Sequence, residues 1–161
     1  MFDYTSLFVS FKTEILPEYI DIMGHMNVMY YIHIFDKATR SFFSSFGLSE
    51  DYVRATNMGS FALEQHIRYL AEVRQGQQIT VYTRALGRSS KTIHFIHFMV
   101  RDQDDALAAT SELVGAHANL DERRAAPFPP AFAAGIDQYL ANHTKLDWET
   151  PVCGTMGVKR K

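Results

Sequence analysis

The run "VMYYIHIFDKATRSFFSSF", residues 28–46, restricts this chain more than any other feature. Tyr31, Ile34, Phe35, Ala38, Phe42 and Phe46 recur at three- and four-residue steps, the spacing that gathers side chains on one face of an α-helix. Met29, Ile32 and Phe43 form a second apolar side, so the pattern predicts a helix with little surface left for water. Lys37 and Arg40 are expected to point outward, and Gly47 to stop the helix. A helix apolar on most sides has to be wrapped by something, and a strongly curved sheet around it is the simplest solution.

The remainder of the chain supplies that sheet. Leu7, Val9 and Phe11 alternate as in a strand, with Pro17 breaking the run. "LSEDYVRATN" reads as a short helix with Ser49 as its N-cap. "SFALEQHIRYL", "ITVYTRALG", "TIHFIHFMVRD" and "ALAATSELVGAHANL" read as four long strands. The polar turns between them predict an antiparallel meander. "APFPPAFAAGIDQYLANH" adds a Pro-stopped loop and a closing helix. The class is α+β, a central helix wrapped by a curved antiparallel sheet, in one domain over residues 1–143. Residues 144–161 lack periodicity and are expected to form a loosely held tail, with a solvated Lys159-Arg160-Lys161 end. Pairing of exposed sheet edges predicts self-association, as a homodimer or homotetramer.

Bulk properties narrow the partners. A formal net charge of -2 without a basic block argues against nucleic acid. Cys153 is the only cysteine, so no intrachain disulfide forms and a reducing, cytoplasmic setting is expected. The N-terminal "MFDYTSLFVSFKTEIL" has no basic leader, and no apolar run approaches the ~18 residues that span a bilayer. No membrane partner is expected.

The candidate chemistry sits in "DIMGHMN", immediately before the greasy helix. A helix start offers unpaired N–H groups and about half a positive charge, which stabilise a developing oxyanion. Gly24 permits a tight turn, and Asp21 is close enough in the chain to face the same point. A carboxylate beside backbone donors is a minimal kit for hydrolysing an activated acyl group, with the acid as general base or nucleophile. The competing reading is that Asp21, His25 and Asn27 simply cap orphan N–H groups. Histidines give no metal pairing by spacing: His94 and His97, three apart on a strand, face opposite sides. No metal and no separate cofactor is expected, and Cys153 has no recognisable partner.

The string Asp21-x-x-Gly24-His25-x-Asn27, leading into Tyr31 and Phe35, resembles the hotdog-fold acyl-CoA thioesterases of the 4-hydroxybenzoyl-CoA thioesterase type. The likeness continues through "EQHIRYLAEVRQGQQITVYTRALGRSSKTIHFIHFMVRD" and covers roughly residues 8–120. It departs at Val28, where the family commonly carries a second Asn. The resemblance implies a hotdog fold, a thioester hydrolase, and coenzyme A bound as part of the substrate at a subunit boundary. It also implies that Asp21 is base or nucleophile. The N–H of Val28, helped by that of Met29, polarises the carbonyl, and His25 and Asn27 shape the loop. "LPEYIDIMGHMN", "RRAAPFPP" and the strand motifs further resemble thioesterases of carnitine breakdown, which act on betainyl-CoA. In that reading Gly24, Met29, Tyr31, Glu64 and His66 contact the acyl group. Glu64, His66 and Arg68 share one strand face, which either meets the helix start or faces solvent. Arg84, Arg88 and Lys91 are candidates for the CoA phosphates, with Arg123 and Arg124 as rivals and ordinary exposed charges as the alternative. Two other functions stay open: a non-catalytic hotdog module that binds acyl-CoA or another small amphiphile, and a dehydratase using His25 as base.

Overall fold

A computed structural model describes residues 2–158 of this chain. Lys159-Arg160-Lys161 lies outside the described residues. The element order is β1 (Phe8–Glu14), α1 (Val28–Ser45), α2 (Glu50–Thr56), β2 (Met58–Tyr69), β3 (Gln78–Arg88), β4 (Thr92–Arg101), β5 (Leu107–Asn119), β6 (Arg124–Ala125) and α3 (Pro130–His143). The strands form one curled antiparallel sheet in the order β1-β3-β4-β5-β2, with β6 on β5.

The order corrects the expected meander. Strands β3, β4 and β5 do follow one another, but β2 pairs with β5 at the far edge rather than with β3. The reason lies in the side chains. β4 and β5 are buried along nearly their whole length on both faces, as a central strand requires. β2 carries Glu64, Gln65, His66 and Arg68 and is mostly exposed, which suits an edge.

Helix α1 lies against the inner face of this sheet. Tyr31, Ile34, Phe35, Ala38, Phe42 and Phe43 are buried there, among Ile15, Val81, Met99, Phe95 and Ile136. Lys37 and Arg40 point outward as the pattern predicts. The second apolar side is only partly covered: Phe43 is buried, but Met29 is 61% and Ile32 47% exposed in the single chain. The helix ends at Gly47, whose φ of +113° a side chain rarely adopts. Ser49 then caps α2, accepting the Tyr52 N–H at 3.2 Å.

A buried polar ladder fixes α1 to the sheet. Thr39 Oγ1 donates to the Phe35 carbonyl at 2.9 Å, which uses its one proton. It therefore accepts from His97 Nε2 at 2.9 Å, so the proton of the neutral imidazole is on Nε2. Nδ1 of His97 then accepts from the Thr83 hydroxyl at 2.7 Å, and Thr83 in turn bonds Ser10. Phe35 stacks flat on the His97 ring at 5.8 Å. Burial pushes the His97 imidazole down to about 3.

The outer face of β3 and β4 is covered by the chain ends. Ile96, Phe98 and Val100 pack with Leu7, Tyr4, Leu146 and Trp148. The segment after α3, expected to be loosely held, has no helix or strand yet is anchored at several points. Arg84 sits over the Trp148 ring at 4.2 Å and donates to the Trp148 and His143 carbonyls at 3.0 and 3.1 Å. Further on, the Cys153 N–H donates to Glu112 Oε2 at 2.7 Å. Aromatic and cationic side chains, invisible to a search for periodicity, hold it. No helix among the described residues is long and apolar enough to cross a membrane.

Candidate active site

The turn before α1 is a closed loop rather than an open arm. Ile20 and Met26 form an antiparallel bridge, and the Asp21 N–H donates to the His25 carbonyl at 3.1 Å. The Gly24 N–H donates to the Asp21 carbonyl at 3.0 Å, with Gly24 at φ +82°. A Cβ at Gly24 would meet nothing within 4 Å, so glycine here serves the turn and not a close ligand approach. The loop is clasped from beneath: the Met26 N–H donates to the Val73 carbonyl at 2.7 Å, and the Asn27 N–H to the Tyr19 carbonyl at 2.9 Å.

The Asp21 side chain is 15% exposed. Its Oδ1 accepts the Met23 N–H at 2.9 Å and lies 3.9 Å from His25 Nδ1. Its Oδ2 has no hydrogen-bond donor among the described residues. Capping therefore claims one carboxylate oxygen and leaves the other. Asn27 is the N-cap of α1, and its Oδ1 accepts the Met29 N–H at 3.0 Å. That contact removes Met29 from the expected pair of oxyanion donors. The Val28 N–H, by contrast, meets no acceptor among the described residues.

A surface cleft of about 390 Å³ opens beside this helix start. His25, Val28, Tyr31, Tyr69, Leu70 and Glu72 line it. Tyr31 and Tyr69 meet edge-on at 5.1 Å and 82°, and burial raises the Tyr31 phenol above its ordinary range. Asp21 is not in the lining; it approaches the cleft through His25. The structure thus brings together His25, Val28 and Tyr31, with Gly24, Asn27 and Met29 in the adjoining turn. Tyr69, Leu70 and Glu72 went unassigned in the sequence, although they stand inside the motif "EQHIRYLAEV".

Other expected contacts fall elsewhere. Glu64 and His66 are corrected: His66 pairs across from Glu112, which faces away from α1, so Glu64, His66 and Arg68 occupy the outer sheet face. The bulge after Ala62 leaves Gln65 and Ile67 facing inward instead, and Gln65 bonds Ser111 at 3.0 Å. Arg84 is buried against Trp148. Arg88 is clamped by both oxygens of Asp137, each at 2.6 Å. Of these three, Arg88 is ion-paired and Arg84 is hydrogen-bonded to neutral carbonyls, while the Lys91 ammonium meets no acceptor among the described residues. All three belong to the far half of β3 or its turn. Arg88 and Lys91 are roughly 30 Å from the cleft of the same chain, by the rise of an eleven-residue strand. Arg123 lies over the Phe61 ring at 4.9 Å.

Comparison with known proteins places this geometry. The family model for the thioesterase-like superfamily matches residues 15–136. The chain belongs to that superfamily. It is 30% identical over 142 residues to a betainyl-CoA thioesterase of Pseudomonas aeruginosa, covering 88% of this chain and 89% of that protein. It is 34% identical over 123 residues to an L-carnitine dehydrogenase/betainyl-CoA thioesterase of Agrobacterium fabrum, covering 76% of this chain but 25% of that longer protein. Among solved structures, a Staphylococcus aureus protein in complex with CoA superposes with a TM-score of 0.84 at 26% identity, over 95% of this chain and 97% of the other. The expected hotdog fold is the one observed: α1 is the central helix and the curled sheet its wrapping.

Proposed function

We propose that this thioesterase-superfamily chain hydrolyses acyl-CoA thioesters to the free acid and CoA in the cleft beside the α1 N-terminus. The observation that carries the reading is the Val28 N–H, without an acceptor among the described residues and placed at the positive end of an eighteen-residue helix. A thioester carbonyl seated in the cleft accepts from it, and the bond strengthens as the oxygen gains charge. Asp21 Oδ2 acts as general base. It takes a proton from water, the hydroxide oxygen adds to the carbonyl carbon, and the carbon–sulfur bond then breaks. The leaving thiolate comes from a thiol of pKa near ~8.5, so no dedicated acid is needed. Because Asp21 reaches the cleft past His25, a base working through water fits better than direct attack by the carboxylate.

Betainyl-CoA is the substrate the cleft suits. Tyr31 and Tyr69 offer aromatic surface to a quaternary ammonium, and Glu72, one oxygen of which meets Arg74 at 3.0 Å, offers its other carboxylate oxygen. Glu72, not Glu64, takes that role. A second copy of the chain completes the site by covering the free edge of β2 and the exposed Val28, Met29 and Ile32, and CoA lies between the two.

The test is thiol release from a panel running from betainyl-CoA to long-chain acyl-CoAs, with Asp21→Asn alongside. Turnover in the variant falls at least a hundredfold while ligand binding persists. Unchanged hydrolysis removes Asp21 from the mechanism, and a preference for fatty chains removes the betainyl assignment.

A further inference from the structure

We propose that the outer face of the sheet carries a transition-metal site of the zinc type, built from His66 of β2, Glu112 of β5 and Cys153 of the tail. One ligand atom from each of these residues lies within 4.8 Å of the others. They come from three segments distant in sequence, so local composition does not account for the meeting.

Two features build the site. The β2–β5 register sets His66 directly opposite Glu112, on one face. The tail then crosses that face, and its Cys153 N–H is fixed on Glu112 Oε2 at 2.7 Å, which delivers the thiol to the same point. Glu112 is buried, with a side chain 2% exposed, on a sheet face where an acid would ordinarily meet water. His94 of β4 holds its other oxygen, Nε2 to Oε1 at 2.8 Å. A carboxylate oriented by a hydrogen bond on each oxygen is what a metal ligand needs around it. The His66 ring, in contrast, makes no hydrogen bond among the described residues, and the Cys153 thiol, 3.4 Å from Thr155 Oγ1, is turned toward the Glu112 carboxylate as a further hydrogen-bond donor. An uncommitted imidazole and a thiol already facing the carboxylate thus converge on one point.

The donor set selects the ion. Imidazole nitrogen, thiolate sulfur and carboxylate oxygen together suit Zn²⁺ and disfavour Mg²⁺ and Ca²⁺, which want oxygen alone. Tetrahedral bonds of about 2.0–2.3 Å set ligand atoms roughly 3.5 Å apart, which side-chain rotation reaches from the present spacing. The exposed His66 gives the ion a path in, and water takes the fourth position. Binding displaces the thiol proton and closes a clasp between the edge strand and the tail. The site is on the face away from α1 and has no part in hydrolysis.

Cys153 is the only cysteine, so thiol chemistry on the whole protein reads this site alone. The experiment titrates chelator-treated full-length protein with Co²⁺, then Zn²⁺, and follows modification of Cys153 by a disulfide reagent. One equivalent of Co²⁺ is expected to give a thiolate-to-cobalt absorption band that Zn²⁺ bleaches. Saturating Zn²⁺ is expected to slow the thiol reaction at least tenfold. His66→Ala, an exposed change that leaves the core intact, abolishes both effects, as does Cys153→Ser for the band. Absence of the band with an unchanged thiol rate overturns the site and leaves Glu112 and His94 as an ordinary buried pair. Protection that survives in His66→Ala overturns the ligand set.

Discussion

The buried ladder through His97 makes a quantitative prediction about acid. The neutral imidazole in the core has its proton affinity pushed down to about 3, whereas in the unfolded chain it returns to 6.5. Between those values the unfolded state binds the extra proton and the native state does not, so stability falls as pH falls through this window. Each unit is worth about 1.4 kcal/mol, so His97 alone removes about 2.5 kcal/mol between pH 7 and 4.5. His97→Gln supplies a donor and an acceptor to the same neighbours without a titrating group. Its absolute stability changes, because the ring no longer stacks on Phe35, but its pH dependence isolates the proton. Urea unfolding at pH 7.0 and 4.5, at one protein concentration, gives the two differences. The wild-type loss should exceed that of the variant by about 2.5 kcal/mol. His143, lowered to about 4 by burial and the Arg84 charge, loses stability in the same direction in both proteins and cancels. Equal losses within about 0.5 kcal/mol would refute the ladder, since they mean that His97 is solvated or charged in the folded state.

Three further outcomes follow from single contacts. Asn27→Ala removes the N-cap of α1 and should cost about 1 kcal/mol in thermal unfolding. Gly24→Ala and Gly47→Ala both force a side chain into positive φ, about 1 kcal/mol of strain, but only Gly47→Ala drives a Cβ to within 2.7 Å of Phe132 Cδ1. Overpacking adds about 1–3 kcal/mol there, so denaturation midpoints should rank Gly47→Ala well below Gly24→Ala. Arg88→Ala should leave KM for acyl-CoA within twofold and lower the melting temperature, because its guanidinium is occupied by Asp137. A tenfold rise in KM would restore Arg88 as a phosphate ligand.

What the sequence makes legible here depends on the range of the signal. The α1 helix shows in Tyr31, Ile34, Phe35, Ala38, Phe42 and Phe46 because three- and four-residue spacing is local and a buried face leaves it no freedom. The strands show for the same reason, through alternation. Which strand pairs with which is not local, and the meander expectation failed at β2, the one strand whose charges already marked it as an edge. That single misplacement carries through to the site. With β2 beside β3, Glu64 and His66 have no defined face; beside β5, the register to Glu112 turns both away from the cleft. The turn was readable as a turn, since Gly24 and Asn27 act on neighbours a few residues away. The roles of Arg84 and Arg88 were not, because a guanidinium is equally at home on a phosphate, on Trp148 or on Asp137, and its partner is chosen by the fold. Cys153 is a parallel case. Paired by spacing, seven histidines and one cysteine give no ligand set; paired by register and by a tail with no periodicity, His66, Glu112 and Cys153 meet. Local pattern decides which faces a chain must bury, and the long-range pairing that buries them decides which polar groups are left to do chemistry.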